Sequence, residues 1–391
     1  MLVWVSAAVG WESPPAAAPA GWLENVRPAL AVLVSCDRQA RWKSFGTGFF
    51  ITGDGILVTA RHVAQAQENL VAITHDGRRH KVTRFLGDDP DYDIAVLQID
   101  GADFATLRTA TTLPATNDWV ALVSPTDQWS ELFRHTNLPP VCATGEVASL
   151  LVLPGVWLAI TTTVPAQPGQ SGSPLLNQAG EVIGLVPYTS AEQQATASPI
   201  AIAQAIASRA AGAGGVPFQQ RPKKGGSLPL TMDADFRAGC AAISREDWVE
   251  AERRMKRAAR HFRASPVPLA VLGTVCAKRA AWKQVHGYCT KALRLQPRGA
   301  FCALLDGSSL VMLGRLAEGT AAVRKSLDLG LPNGALQASA WALLASTETA
   351  LGRHDQAQFA LDNLQRLDAA EAAKLRSRLQ LETRVPEAKT E

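Results

Sequence analysis

A 34-residue recurrence constrains the C-terminal part of this chain more than any other feature. Gly239, Gly273 and Gly307 stand 34 residues apart; Trp248, Trp282 and Leu316 keep the interval, and so do Ala258, Ala292 and Ser326. Gly314-Arg315-Leu316 is echoed by Gly352-Arg353-His354 with Ala357 following, so a fourth unit is offset by four residues. Small residues in fixed columns at this period read as stacked helix pairs. They let two helices approach closely, and each pair must cover its apolar face with the next. Four units over 232–371 satisfy that requirement, with 372–391 as a tail or capping helix. Trp248 and Trp282 read as core packing within the array.

Upstream the period changes. Ala29–Ser35, Gly48–Ile51, Ile56–Thr59, Leu70–Thr74, Ile94–Ile99, Trp119–Ser124, Val156–Thr163 and Val182–Val186 are short runs, many rich in Val, Ile, Leu and Thr, broken by Gly, Pro and Asp. Many short strands without alternating helices predict an all-β barrel or sandwich. Ile202–Ala211 is the first clear helix. Gly212 to Leu230, with Gly-Ala-Gly-Gly, Pro217, Pro222, Lys223-Lys224 and Gly225-Gly226, has the composition of a linker. The expected organisation is an N-terminal segment (1–27), a β domain (28–211), a linker (212–231) and the helical array.

Composition narrows the function classes. Hydrophobic residues make up 47% and charged residues 19%, enough apolar material for packed cores and too much for a disordered chain. No run of 18 apolar residues exists, so a membrane-spanning helix is not expected. The net charge of +4 falls short of the basic excess of a dedicated nucleic-acid binder. It hides a split: residues 1–210 carry 12 basic and 18 acidic groups, residues 211–391 carry 27 and 17. The two halves are therefore differently employed. Arg253, Arg254, Lys256, Arg257, Arg260 and Arg263 read as a solvated helix face, or functionally as a docking surface for an acidic peptide or partner. Six cysteines (Cys36, Cys142, Cys240, Cys276, Cys289, Cys302) form no C-x-x-C pair and read as small buried hydrophobes. No metal-ligand spacing and no phosphate-cradling glycine loop occurs, so no metal and no cofactor is expected. Met1 to Trp11 is mostly apolar and Ala16-Ala17-Ala18 precedes Ala20, but the first basic residue is Arg27, so the positive start of a signal peptide is missing.

Three segments of the β half carry chemistry. The first is Gly46-Thr47-Gly48-Phe49-Phe50, then Thr59-Ala60-Arg61-His62-Val63. The second is Asp91-Tyr92-Asp93-Ile94-Ala95-Val96-Leu97. The third is Pro168-Gly169-Gln170-Ser171-Gly172-Ser173-Pro174, then Gly180-Glu181-Val182-Ile183-Gly184-Leu185. A serine hydroxyl is a weak nucleophile until an imidazole takes its proton. The imidazole needs a carboxylate on its other nitrogen, and the oxyanion formed on attack needs two backbone N–H groups aimed at it. His, Asp and Ser occur here in that chain order, which differs from the order in subtilisins and α/β-hydrolases.

These motifs resemble the trypsin-like serine proteases of the high-temperature-requirement (HtrA) type, over about Ala29 to Ala210. The matching features are the G-T-G-F-F strand, T-A-x-H-V, D-x-D-I-A-V-L and P-G-x-S-G-x-P, with 31 and 78 residues between the expected triad members. The resemblance implies a double β-barrel, with His62 as general base, Asp93 as its orienting carboxylate (Asp91 is the competitor) and Ser171 as nucleophile. Gly169 and Ser171 would form the oxyanion hole. Gln170 and Ser173 depart from the usual G-N-S-G-G loop. The helical array resembles the tetratricopeptide repeat and stands where that family carries a PDZ domain. The implied fold is multidomain, an all-β double barrel followed by an all-α solenoid. The implied function is serine endopeptidase, acting on a protein or peptide substrate, with a protein partner on the repeats. The alternative is a catalytically silent protease-like scaffold or chaperone acting through the repeats. The resemblance favours the periplasm or cell envelope, with the cytoplasm as the alternative.

Two finer expectations follow from the family placement. In trypsin-like folds the residue six before the nucleophile sits at the base of the specificity pocket. That residue is Pro165, with Leu185 and Val186 beside it, which points to cleavage after small or medium aliphatic residues. Cys276 and Cys289 fall on the paired helices of one tetratricopeptide-like unit and could bridge if the protein is exported.

Overall fold

A computed structural model describes residues 21–36, 42–65, 69–112, 114–125, 140–153, 156–167, 169–187, 194–222, 230, 233–331 and 333–379. The apolar start and alanine-rich stretch before Gly21, Pro168, the Lys223-Lys224 and Gly225-Gly226 pairs, and residues 380–391 of the expected tail lie outside them. The chain forms two compact units, the first made chiefly of residues up to Asp233 and the second chiefly of residues from Ala234 on.

The first unit is the expected double barrel. After the one-turn α1 (Trp22–Val26) come β1 (Leu30–Cys36), β2 (Trp42–Phe50), β3 (Ile56–Ala60), α2 (Arg61–Gln65), β4 (Asn69–Thr74), β5 (Arg79–Asp89) and β6 (Ile94–Ile99). The strands pair antiparallel in the order β5-β4-β1-β2-β3-β6, and β5 pairs again with β6 to close the ring. Closure needs curvature. The register slips between Val82 and Arg84 and between Phe85 and Gly87 supply it, because bulges bend and twist a strand. Leu30, Leu33, Phe49, Phe50, Leu57, Ile94, Leu97 and Ile99 are fully buried. The second ring runs β7 (Trp119–Ser124), β8 (Val141–Leu153), β9 (Val156–Pro165), β10 (Pro174–Asn177), β11 (Val182–Leu185) and β12 (Gln194–Pro199) in sequence. It closes in the order β10-β11-β12-β9-β8-β7 around Val120, Leu122, Val147, Ile160, Val164, Leu175 and Val186. The apolar runs did not point to β5, β8, β10 or β12. β5 is half charged, β10 begins on Pro174, and β12 buries only small side chains such as Ala195, Ala197 and Ser198.

The helix α3 (Ile200–Ala213) ends at Gly214, and the chain does not then run free as a linker. The two-residue strand β13 (Val216–Pro217) pairs with the outer side of β5, and the following turn buries Phe218 against it. Arg221 stacks on the Phe218 ring, 4.0 Å from its centre. One aromatic side chain and two ladder positions thus override a loop-forming composition.

The second unit is helical: α4 (Ala234–Ser244), α5 (Trp248–His261), α6 (Val267–Lys278), α7 (Trp282–Leu295), α8 (Ala300–Met312), α9 (Leu316–Asp328), α10 (Gly334–Ala350), α11 (His354–Leu367) and α12 (Ala369–Leu379). Each helix packs on the next in the chain, as a stacked array requires. The sequence columns have structural meaning. Trp248, Trp282 and Leu316 open the second helix of each pair, and Ala258, Ala292 and Ser326 are buried on it. A Cβ on Gly307 of α8 would stand 2.6 Å from Val323 Cγ2 and 2.9 Å from the Gly319 carbonyl on α9. α10 has 17 residues against 13 in α8, which accounts for the four-residue offset of the fourth unit. Glu246, Ala280, Gly314 and Gly352 each turn the chain between paired helices with a left-handed φ. Cys276 and Cys289 share one buried cluster with Val285 as unbridged thiols, and burial pushes the Cys276 thiol up to about 11.

Among the described residues, no helix is long and apolar enough to cross a membrane. Nor does any group of three or more His, Cys, Asp and Glu side chains stand ready to hold a metal ion.

Candidate active site

The site forms where the two barrels meet. β3 delivers the chain into α2, whose second residue is His62. Asp93 stands at the entry of β6, in register with that end of β3 through the Ala60–Ile94 pair. Its φ of 54° is left-handed, a strained conformation for a residue with a Cβ and one met at functional positions. The conformation turns three acceptors toward α2. Asp93 Oδ2 lies 2.6 Å from His62 Nδ1, Asp93 Oδ1 accepts the His62 backbone N–H at 2.9 Å, and the Asp93 carbonyl accepts the Arg61 N–H at 2.8 Å. The carboxylate is buried, while the imidazole is 40% exposed. An ionised carboxylate only accepts, so the proton of this bond sits on Nδ1 and Nε2 is the ring nitrogen that can accept. Asp93 makes this bond; the Asp91 backbone N–H is instead engaged by Asp89.

Ser171 lies in the loop from β9 to β10, at 7% exposure. Its carbonyl accepts the N–H of Thr47 on β2 at 2.8 Å. The next residue, Gly172, has a φ of 87°, and a Cβ there would stand 2.1 Å from the Thr47 carbonyl, 2.8 Å from Thr59 Oγ1 and 3.0 Å from the Ala60 nitrogen. The glycine therefore lets the serine loop of the second barrel lie flat on β2 and β3 of the first, two residues ahead of His62. The Gln170 N–H is used internally, on the Gln167 carbonyl at 3.2 Å. Among the described residues the N–H groups of Gly169 and Ser171 have no acceptor, and the Ser171 hydroxyl has no hydrogen-bond partner. The structure thus joins His62 to Asp93 directly and seats the Ser171 loop by backbone contact against β2 and the end of β3 that leads into His62.

The departures from the expected serine loop carry structural work. Gln170 Oε1 accepts the Gln167 N–H at 2.7 Å and closes the loop, and Ser173 Oγ meets Ser124 Oγ of β7 at 2.9 Å. Sequence reasoning missed other supports too. Ser198 Oγ on β12 donates to the Tyr92 carbonyl at 2.7 Å, tying the second barrel to the turn before Asp93. Arg61 and Gln65 both donate to Asp88. No local pattern marks these pairs, because the partners lie tens of residues apart in sequence.

The three residues expected at the pocket differ in burial. Pro165 ends β9, and the period of two along a strand turns its side chain out to solvent, while Val164 and Ala166 point into the second barrel. Val186 belongs to that same core and Leu185 is fully buried.

Comparison with known proteins adds the following similarities. Residues 46–185 match the family described as trypsin-like peptidase domain. A probable periplasmic serine endoprotease DegP-like of Pseudomonas fluorescens is 37% identical over 152 residues, covering 38% of this chain and 30% of that protein. The putative serine protease HhoA of Synechocystis is 33% identical over 190 residues, covering 46% of each. The solved serine endoprotease of Yersinia pestis aligns at a TM-score of 0.42 and 21% identity, over 51% of this chain and 70% of that one. The chain spans less than half the length of the curated relatives it matches.

Proposed function

We propose that the first unit is a serine endopeptidase and that the helical unit recruits its protein substrate. The observation that carries the reading is the Asp93 carboxylate, which grips both the ring and the backbone of His62, together with a serine loop that has two N–H groups engaged by no acceptor among the described residues. In the cycle, Ser171 Oγ attacks the scissile carbonyl and gives its proton to His62 Nε2. Asp93 holds the Nδ1–H and stabilises the imidazolium. The N–H groups of Gly169 and Ser171 meet the oxyanion. His62 then protonates the leaving amine and activates the water that hydrolyses the acyl-enzyme. The relatives named as periplasmic proteases support a cell-envelope location.

The recruitment half of the proposal rests on the stacked helices and on a basic face along α5. Part of that charge is already paired: Arg253 and Arg254 with Glu250, and Lys256 and Arg279 with Glu252. Arg254 and Arg257 also pair with Asp235. Arg260 lines a shallow cavity beside exposed Val249 with no ion pair among the described residues, and it is the charge left to meet an acidic segment.

A fluorophosphonate probe tests the catalytic half. Labelling of the wild type that vanishes in Ser171→Ala, with peptide hydrolysis reduced by several orders of magnitude, is expected. Absence of labelling in folded protein would favour the silent scaffold.

A further inference from the structure

The helix α2 holds His62 but has only five residues, too few to be stable without outside support. Asp93 secures its first two residues. Its far end is secured by a group that belongs to neither the expected triad nor the oxyanion loop. Asp88, on the last turn-ward stretch of β5, accepts Arg61 Nε at 2.6 Å and Gln65 Nε2 at 3.1 Å on the same oxygen, Oδ2. Arg61 and Gln65 are four apart, one helical turn, so their side chains reach the same side of α2. One carboxylate therefore spans the whole turn that carries the imidazole. β5 in turn pairs with β6 there, Asp88 opposite Ala95 and Asp89 opposite Ile94, so Asp88 and Asp93 sit on one rigid two-stranded platform.

The burial is informative. The Arg61 side chain is 7% exposed and that of Asp88 21%. A guanidinium is buried beside a catalytic helix at a desolvation cost that only a well-placed anion offsets. Leu or Met would fill the same space more simply. Arg brings what they lack, a directed bond that fixes the rotation of α2 about its axis. Beyond Asp88 lies a cavity of about 340 Å³ lined by Leu86, Ile206, Arg209, Ala210 and Val216, so truncation at Asp88 opens onto existing space and does not collapse a packed core.

We infer that Asp88 is a positioning residue: through Arg61 and Gln65 it sets the orientation of α2, and with it the reach of His62 Nε2 toward Ser171. The inference rests on the protease reading of the site. Loss of the clamp lets α2 pivot on its Asp93 bonds, and a displacement of about 1 Å at the imidazole costs roughly 100-fold in turnover.

The test compares full-length Asp88→Ala, Arg61→Ala and the double variant with wild type. The readouts are thermal melting, kcat per titrated active site, KM on a small ester, and the downfield proton resonance of the His62 Nδ1–H bonded to Asp93. Asp88→Ala is expected to lose about 100-fold in kcat with KM nearly unchanged, and to shift or broaden the resonance. Asp88→Ala is also expected to melt lower, because it strands a buried cation. The double variant removes that cation and regains melting temperature, but kcat stays low because the clamp is still missing. A merely structural pair would recover both together. Recovery of wild-type kcat in the double variant, or an unperturbed kcat per active site in Asp88→Ala, overturns the inference. If Asp88→Ala does not fold, the double variant carries the same comparison. If the wild type proves not to be a protease, the resonance decides alone: unchanged in Asp88→Ala, it refutes the clamp independently of activity.

Discussion

Replacing Gly172 by Ala adds one methyl group at the point where the serine loop of the second barrel meets the first. The methyl carbon would stand 2.1 Å from the Thr47 carbonyl oxygen and 3.0 Å from the Ala60 nitrogen. Both are backbone atoms of β2 and β3, held in the barrel ladder, so no side-chain rotation relieves the overlap. Restoring an ordinary contact requires the loop to back away by about 1 Å, and a misplacement of that size costs roughly 100-fold in rate. Ala at the Gly172 φ of 87° adds about 1–2 kcal/mol of backbone strain. The Thr47 N–H to Ser171 carbonyl bond, which locates the nucleophile, is the first contact that such a shift lengthens. The expected result is a folded protein, melting a few degrees lower, whose kcat on a small chromogenic peptide falls by two orders of magnitude or more. The rate of fluorophosphonate labelling should fall in parallel, since it depends on the same loop without needing substrate binding. A Gly172→Ala protein that labels and turns over within about threefold of wild type would show that the loop is not held in this geometry, and the reasoning from contact to catalysis would fail.

Other outcomes are expected. A peptide-library digest should show cleavage after Val, Ala or Leu, because among the described residues the segments that flank the serine loop, from Thr163 to Ser173 and from Leu185 to Pro187, carry no carboxylate to meet a cation. The preference should be broad, about 10- to 200-fold between close aliphatics, and a digest dominated by Arg or Lys would refute it. Asp89 is half-buried, and burial raises its carboxyl above the ordinary 3.8 against the pull of the Asp91 and Tyr92 N–H bonds. Its ionisation therefore opposes folding as pH rises through that region, and Asp89→Asn should melt at the same or higher temperature at pH 7, with the difference vanishing in acid; a variant that melts lower at pH 7 contradicts this. Ala280 turns the chain at a φ of 53°, where Gly314 and Gly352 stand in later repeats. Ala280→Gly should stabilise the helical unit by up to about 1 kcal/mol in urea unfolding, the relief of left-handed strain exceeding the added chain entropy. Destabilisation there would refute the strain argument.

The candidate site was legible because its parts are local. T-A-R-H-V, D-Y-D-I-A-V-L and the serine loop each combine a functional side chain with the glycine or apolar pattern that seats it, and each was readable within about ten residues. Asp93 was preferred to Asp91 from its place before β6, and the hydrogen bond to His62 lies there. The specificity pocket was less legible for the opposite reason. Counting six residues back from Ser171 locates Pro165 along the chain but says nothing about which face of β9 it occupies, and β9 turns it outward. The linker misled because composition reports average loop character, whereas Phe218 needed only one apolar niche on β5 to anchor its segment.

The sequence by itself determined the period of each half: alternating short apolar runs close into barrels, and small residues every 34 positions stack helices. It also determined the order of the reacting groups and the glycines around them, since those depend on neighbours a few bonds away. Only the tertiary structure decided what holds those groups in place. Asp88 reaches Arg61 across 27 residues, Ser198 reaches Tyr92 across 106, and Ser173 reaches Ser124 across 49. Pairings of that kind follow from barrel closure and strand register. No local pattern encodes them, because a hydrogen bond depends on distance in space and is indifferent to distance along the chain.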